Sequence, residues 1–503
     1  MKRRFWGRLT QGAAISLLLV GAVVLLSGGQ SIVLSGVPSI VDVDESTATV
    51  SEDKTQFDVD VDSNLGESQS ILVRLLNTAG NEATSTLSLT APTGVNMSVE
   101  EVDNNILTID DLGVSSWILT MPARSSIVAG EEWQTVTTDS DSNSVGQHTS
   151  IAAVDTDITM ISYYDATDGN LKFARTVNGG ESASDWTTVA SIVTSGDVGR
   201  YTDIAAVDSN TAHISYYDVS NTALKVATTN DGGSNWSSAN VDSSGDVGRY
   251  TSIAALNANV FVSYYDATNG DLVVAKSTNS GTSWTANAVD SIGDVGMHTA
   301  IALPDADTVI VGYYDATNQA LKIARSIDGG GSWATAVIDS SGDVGREASI
   351  VAVDAQTLFV SYYDATNDDL KAAKSVDGGS AWSVSVIDST GEVGRYASIA
   401  ASDTSNVFIS YQSVTDSSLK VARSTDGGGT WNLVTLDSTG GVGEYTSITA
   451  PSASAIAVSY YDGANNNLKF ARSIRKAELL IDVERETDDP VGLYTISGAV
   501  TGQ

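Results

Sequence analysis

Four arginines, Arg200, Arg249, Arg346 and Arg395, each stand one residue after a Val-Gly pair in separate stretches of the chain. A guanidinium grips a carboxylate through paired hydrogen bonds, so a repeated arginine position suits an anionic ligand. Tyr201, Tyr250, Tyr396 and Tyr445 occupy the next position. Acids surround them: Asp197, Asp246, Asp294, Asp343 and Glu392 directly precede the Val-Gly pairs, and Asp165, Asp218, Asp266, Asp315, Asp364 and Asp462 lie in nearby turns. The register breaks in places. Met297-His298 replaces Arg-Tyr, Glu347 replaces Tyr beside Arg346, and Tyr411-Gln412-Ser413 replaces Tyr-Tyr-Asp. Arg346 and Glu347 are the nearest approach to a charged catalytic pair, although drift among duplicated copies is the preferred reading of these breaks. Catalysis needs an asymmetric set of residues in distinct roles, and arginines repeating in register do not supply one. Every arginine also has an acid in its own loop, so ion pairing between blades accounts for the recurrence as well as a ligand does. The candidate ligand face is Arg200, Arg249, Arg346, Arg395, Tyr201, Tyr250, Tyr396, Glu347 and His298, with no catalytic residue assigned.

Composition narrows the chemistry. The 503 residues contain no cysteine, which removes disulfides and thiolate metal sites. His148, His213 and His298 are the only histidines. His148 and His298 share one repeat position and read as interchangeable surface residues, so no metal and no cofactor are expected. A net charge of -36 repels nucleic acid and anionic lipid. The basic start KRRFWGR, the apolar run from Ala13 to Leu26 and the polar break SGGQS read as an export signal over residues 1–29. A retained N-terminal anchor is the alternative, and either places the remainder outside the cytoplasm, extracellular or at the cell surface.

These residues must be held by a repeat. The glycines of the Val-Gly pairs are Gly146, Gly199, Gly248, Gly296, Gly345, Gly394 and Gly443, spaced 53 residues once and 48 or 49 thereafter. Each anchor leads into a run such as SIAA, then one ending in SYYD, then one like LKVARS, and finally a Gly-rich turn and a Trp. Four short strands cannot bury both faces of a sheet alone, so each unit must stack on its neighbours. The pattern predicts an all-β, seven-bladed β-propeller over 131–475. The seventh copy lacks its last strand, and EEWQTVTTDS (131–140) aligns with GSWATAVIDS (331–340), placing Trp133 opposite Trp333. The first strand in the chain is therefore expected to complete the last blade.

The turn before the fourth strand reads S/T-x-D-x-G-x-x-W. It carries Asp231, Asn279, Asp328, Asp377 and Asp426, with Trp236, Trp284, Trp333, Trp382 and Trp431. These turns resemble the Asp-box (BNR) repeats of the sialidase-like propeller superfamily. The resemblance implies that the boxes are structural and sit opposite the ligand face. Family members clamp a substrate carboxylate with three arginines and use a Tyr nucleophile aided by Glu, with an Asp acid/base. All these residue types occur here, but no Arg-Ile-Pro motif accompanies any arginine.

Residues 30–130 and 476–503 lack boxes and show alternating strands. Their order resembles an Ig-like β-sandwich of bacterial and archaeal surface proteins, split by the propeller, whose own termini lie side by side. Asp58, Asp60, Asp62 and Asn64 hint at a calcium loop, but from Asp60 the twelfth position is Ile71 instead of Glu, and the acids alternate with apolar residues as on a wet strand face. The favoured function is non-catalytic recognition or adhesion, with a glycan or an extracellular protein as partner. A sialidase-like glycoside hydrolase comes second and an architectural surface or filament subunit third. Nucleic acid is not expected as a partner, nor is a membrane beyond the N-terminal anchor.

Overall fold

The computed structural model describes residues 133–140 and 144–473, side chains of 187–189 apart, and gives backbone strands alone in the flanking segments. The chain divides into two units, 133–473 and 1–132 with 474–503. In the second unit, Ala477–Arg485 pairs antiparallel with both Gln69–Leu75 and Val95–Glu101, and Thr495–Thr501 pairs with Ala83–Thr90. Of the export signal and the Asp58–Asn64 stretch only the backbone strands Ile15–Leu19, Val23–Leu26 and Phe57–Val59 are described, and the side chains of the proposed sandwich lie outside the described residues.

The other unit is a seven-bladed propeller of four-stranded antiparallel sheets. Blade 1 comprises Val145–Ala153, Thr159–Asp165, Asn170–Thr176 and Trp186–Val193. Blades 2 to 6 follow in the same order over 198–242, 247–290, 295–339, 344–388 and 393–437. Blade 7 comprises Val442–Ser452, Ala455–Asp462 and Asn467–Arg475, and Glu131–Asp139 pairs beside the third of these as its outer strand. The expected closure is thus present, and Trp133 packs against the blade 6–blade 7 core as Trp382 packs against that of blades 4 and 5.

Burial explains why no blade could stand alone. Every residue of all seven second strands is buried, except for the half-buried Asn259 that opens one of them, whereas the outer strands of blades 3, 4 and 5 are mostly exposed. The apolar core is divided among seven clusters, each made by two adjacent blades. Burying a Val, Leu, Ile or Phe side chain contributes about 1.5–3 kcal/mol, and here that gain exists only when the neighbouring blade is in place.

Polar clasps repeat at these interfaces. In blade 5, the Tyr362 hydroxyl donates to Asp339 of blade 4 at 2.7 Å, and Lys371 Nζ reaches the same carboxylate at 2.5 Å. Burial alone would raise the Asp339 carboxyl, but Lys371, Tyr362 and Ser341 outweigh it and hold it at about 2. Tyr313 and Lys322 grip Asp290 in the same way, and Tyr460 and Lys469 grip Asp437. Blade 1 repeats the clasp on Asp139 of the closing strand. Val193 stands where blade 1 would carry the acid, so Lys225 turns to Asp218 and Tyr216 to Ser238.

The anchor glycines set how closely blades approach. Gly345 has φ +99°, and a Cβ there would lie 2.7 Å from the Leu321 Cα of the preceding blade. The other anchors face an equivalent leucine. No other residue satisfies both the conformation and the contact.

The turns that precede the outer strands are closed by their own side chains. Asp328 Oδ1 accepts from the amides of Gly331 and Ser332, both at 2.9 Å, while Ser326 Oγ accepts from Gly330 at 2.8 Å. Asn279 does the same work for Ser283, and Asp231, Asp377 and Asp426 repeat the pattern. Trp236, Trp284 and Trp382 donate to the carbonyl of their own box glycine. Trp333 and Trp431 pack against the cores they share with the preceding blade.

Candidate functional site

Immediately after each anchor glycine the first strand bulges. In blade 5, pairing to Leu358–Asp364 shifts register on both sides of Arg346. The bulge drives the second residue after the glycine into the left-handed region in every blade: His148, Tyr201, Tyr250, His298, Glu347, Tyr396 and Tyr445 all have φ between 49° and 54°. Left-handed backbone is uncommon for non-glycine residues and costs on the order of 1–3 kcal/mol. Here it carries seven equivalent side chains to the propeller axis, where all seven line one open cavity of about 190 Å³.

Six of the seven are aromatic rings in an unbroken arc. Centroid separations run 4.4 Å from His298 to Tyr250, 4.8 Å to Tyr201, 4.8 Å to His148, 4.5 Å to Tyr445 and 4.8 Å to Tyr396. Glu347 fills the single gap. One of its carboxylate oxygens accepts from the Tyr396 amide, and the other lies 3.8 Å from Arg395. Burial pushes the Glu347 carboxyl above its usual range, against the pull of the Tyr396 amide, Arg395 and Arg346.

His148 and His298 are not surface residues, contrary to the sequence reading. They are half-buried members of this collar. Burial, with Arg200 nearby, lowers His148 to about 3, and burial with Arg346 and Arg395 lowers His298 to about 4. Both are neutral imidazoles at neutral pH, able to accept as well as donate a proton. His213 is a buried core residue whose Nδ1 lies 2.9 Å from Thr228 Oγ1.

The arginines stand outside the collar, and each is engaged. Arg249 holds Asp246 through two contacts, 2.5 and 3.2 Å, and Arg346 holds Asp343 at 2.6 and 3.1 Å. Arg200 pairs with Asp197 at 3.1 Å, and Arg395 with Glu392 at 3.2 Å. Each guanidinium also lies over a tyrosine of the preceding blade, 4.4–5.8 Å from Tyr164, Tyr217, Tyr314 and Tyr363. These four ion pairs form within one turn, while the aromatic contacts and the 3.8 Å approach of Arg395 to Glu347 link blade to blade. Tyr164, Tyr217, Tyr265 and Tyr314 add hydrogen bonds of 2.7 Å to the turn acid of the next blade. A carboxylate ligand would have to share every arginine with these partners.

The structure thus brings Tyr201, Tyr250, Tyr396, Glu347 and His298 together and sets Arg200, Arg249, Arg346 and Arg395 around them. His148 and Tyr445 complete the collar and were missing from the candidate set, although their position two residues past an anchor glycine was available. Among the described residues no cluster of three His, Asp or Glu could hold a metal ion, and no helix is long and apolar enough to cross a membrane.

No protein-family model and no curated protein matches this sequence. Solved structures with a similar fold are propellers. YCF48 bound to D1 peptide aligns at TM-score 0.47 and 15% identity over 68% of this chain and 96% of that one. The Hadza microbial sialidase Hz136 aligns at TM-score 0.43 and 12% identity over 80% and 95%. The fucose-specific lectin from Aleuria aurantia aligns at TM-score 0.39 and 13% identity over 62% and 97%. At these scores the likeness is one of general architecture, and no residue role is carried across.

Proposed function

We propose that this chain is an exported, non-catalytic recognition protein whose ligand, a glycan or a protein segment, seats in the aromatic collar and not on the arginines. The observation that carries this reading is the collar itself. Six contiguous rings and one carboxylate line an open cavity, while the loops around them are occupied with one another. Ring faces are sticky toward sugar and side-chain surfaces alike, and an aromatic contact is worth about 0.5–1.5 kcal/mol beyond the area it buries. The cavity, at about 190 Å³, is smaller than the roughly 300–1,000 Å³ of a drug-sized site, so it suits one end group of a larger ligand.

A hydrolase reading fits less well. Burial raises the Tyr250 hydroxyl to about 12 and raises Tyr396 further, which opposes the phenolate a Tyr nucleophile needs. The test is binding of the full chain to an array of neutral, sulfated and sialylated glycans and of peptides. Selective binding that is lost in Tyr201→Ala and kept in Arg249→Ala, with both variants folded, supports collar recognition. Turnover of a sialoside, or binding that depends on Arg249 and not on Tyr201, overturns it.

A further inference from the structure

We propose that the ligand group entering the collar is an organic ammonium, either a small substituted amine or the side chain of a lysine. This rests on the reading of the collar as a binding site and names the chemistry of its ligand. Aromatic ring faces carry the negative lobe of a quadrupole, and a cation close to several of them is attracted by all. The arc of rings, with successive centroids 4.4–4.8 Å apart, supplies that surface. Glu347, the one acidic side chain of the cavity wall, stands at the only gap in the arc.

The remaining polar groups of the cavity wall agree. Its imidazoles are neutral, its other polar side chains are hydroxyls, and among the described residues no lysine or arginine lines it. The nearby guanidiniums are each held by an acid of their own turn, and Arg395 also lies 3.8 Å from Glu347, so an entering ammonium shares that carboxylate with it. The protein as a whole, at -36, concentrates cations near its surface. A carboxylate in place of a ring also gives a cation, once that carboxylate is ionised, both a Coulombic and a quadrupolar partner, which a seventh tyrosine would not.

The experiment is calorimetric titration of the full chain with choline, with Nα-acetyl-lysine methylamide and with 3,3-dimethylbutan-1-ol, the neutral isostere of choline. At least one ammonium probe is expected to bind about tenfold or more tightly than the isostere, and Glu347→Gln to weaken it by about tenfold or more. Glu347→Tyr guards against misfolding, because four of the other six blades carry Tyr at this position with the same backbone geometry. It should likewise lose the ammonium preference. Tighter binding of the lysine probe identifies a protein segment as the source, and tighter binding of choline a free amine. Equal affinity for choline and its isostere, unchanged binding in both Glu347 variants, or no binding of any ammonium probe overturns the inference. If array ligands still bind in a Tyr201-dependent manner, only the ammonium assignment falls. If the array is blank as well, the collar is packing and both readings fall.

Discussion

The blade interfaces and the collar are copied from the same repeat, yet they tolerate change very differently. The first tyrosine of each second strand (Tyr163, Tyr216, Tyr264, Tyr313, Tyr362, Tyr411 and Tyr460) is retained in all seven blades and is fully buried. The collar position, equally repeated and equally strained in backbone, holds four Tyr, two His and one Glu. A buried hydroxyl that must meet a fixed partner, an acid in six blades and Ser238 for Tyr216, leaves little freedom of residue type, because an unpaired buried polar group costs about 1–3 kcal/mol. A side chain bordering an open cavity has no such partner to satisfy. The interfaces teach what the fold requires, and the collar shows where the chain is free to specialise.

The contrast breaks most severely at an anchor. Gly345→Ala must accommodate a methyl group 2.7 Å from the Leu321 Cα at a φ that L residues rarely adopt. It should destabilise the propeller by about 3 kcal/mol or more, seen as a lower denaturant midpoint. Asp339→Ala comes next. It leaves Lys371, whose side chain is 8% exposed, without its 2.5 Å partner, and removes the acceptor of Tyr362. A loss of about 2–3 kcal/mol is expected, since Lys371 keeps only the more distant Asp364, at 3.7 Å, and the Tyr362 hydroxyl loses its acceptor.

How much of this was legible in sequence follows from the same division. The blades, their number and the closing strand could be read because Gly345 and its six equivalents mark each unit at near-constant spacing, and Trp133 matches Trp333. The clasps were equally periodic, an acid six residues before most anchors and a Lys in most LK runs, but pairing across blades is invisible until the sheets stack. The collar was half legible. Tyr201, Tyr250, Tyr396, Glu347 and His298 were selected for their types, whereas His148 was set aside because its convergence with them depends on a left-handed bulge that no periodicity announces. For the arginines the sequence leaves ion pairing and ligand contact both open: the acid-x-x-Arg spacing is in plain view, but only the folded turn shows the guanidinium folded back onto its own acid.

Acid should separate the collar from the clasps. His148 and His298 bind their protons more weakly folded than unfolded, with values near 3 and 4 against 6.5. Their contribution to stability is therefore intact above pH 6.5 and is lost as pH falls from there toward 4. Each should add a slope of about 1.4 kcal/mol per pH unit over that window. Asp339, lowered from 3.8 to about 2, loses its contribution only below pH 4. His148→Tyr and His298→Tyr place the commoner collar residue in each gap and should flatten the curve between pH 6.5 and 4 while leaving the steeper loss below it. Denaturant titrations at successive pH values read both limbs.

The smallest expected effect concerns the arginine ring. Arg249 holds Asp246 at 2.5 Å, but its side chain is 43% exposed, so water and salt screen most of the attraction. Arg249→Ala should cost no more than about 1 kcal/mol, with part of that cost, from the ion pair, disappearing in 1 M salt and the part from its contact with the Tyr217 ring persisting. Ligand affinity at the collar should stay within about twofold, because Arg249 lies outside the cavity wall. A large loss of affinity without a loss of stability would mean that the guanidinium leaves Asp246 to meet the ligand. The ring of arginines would then be an anion site after all, and the division between fixed interfaces and a free collar would have to be redrawn one residue outward.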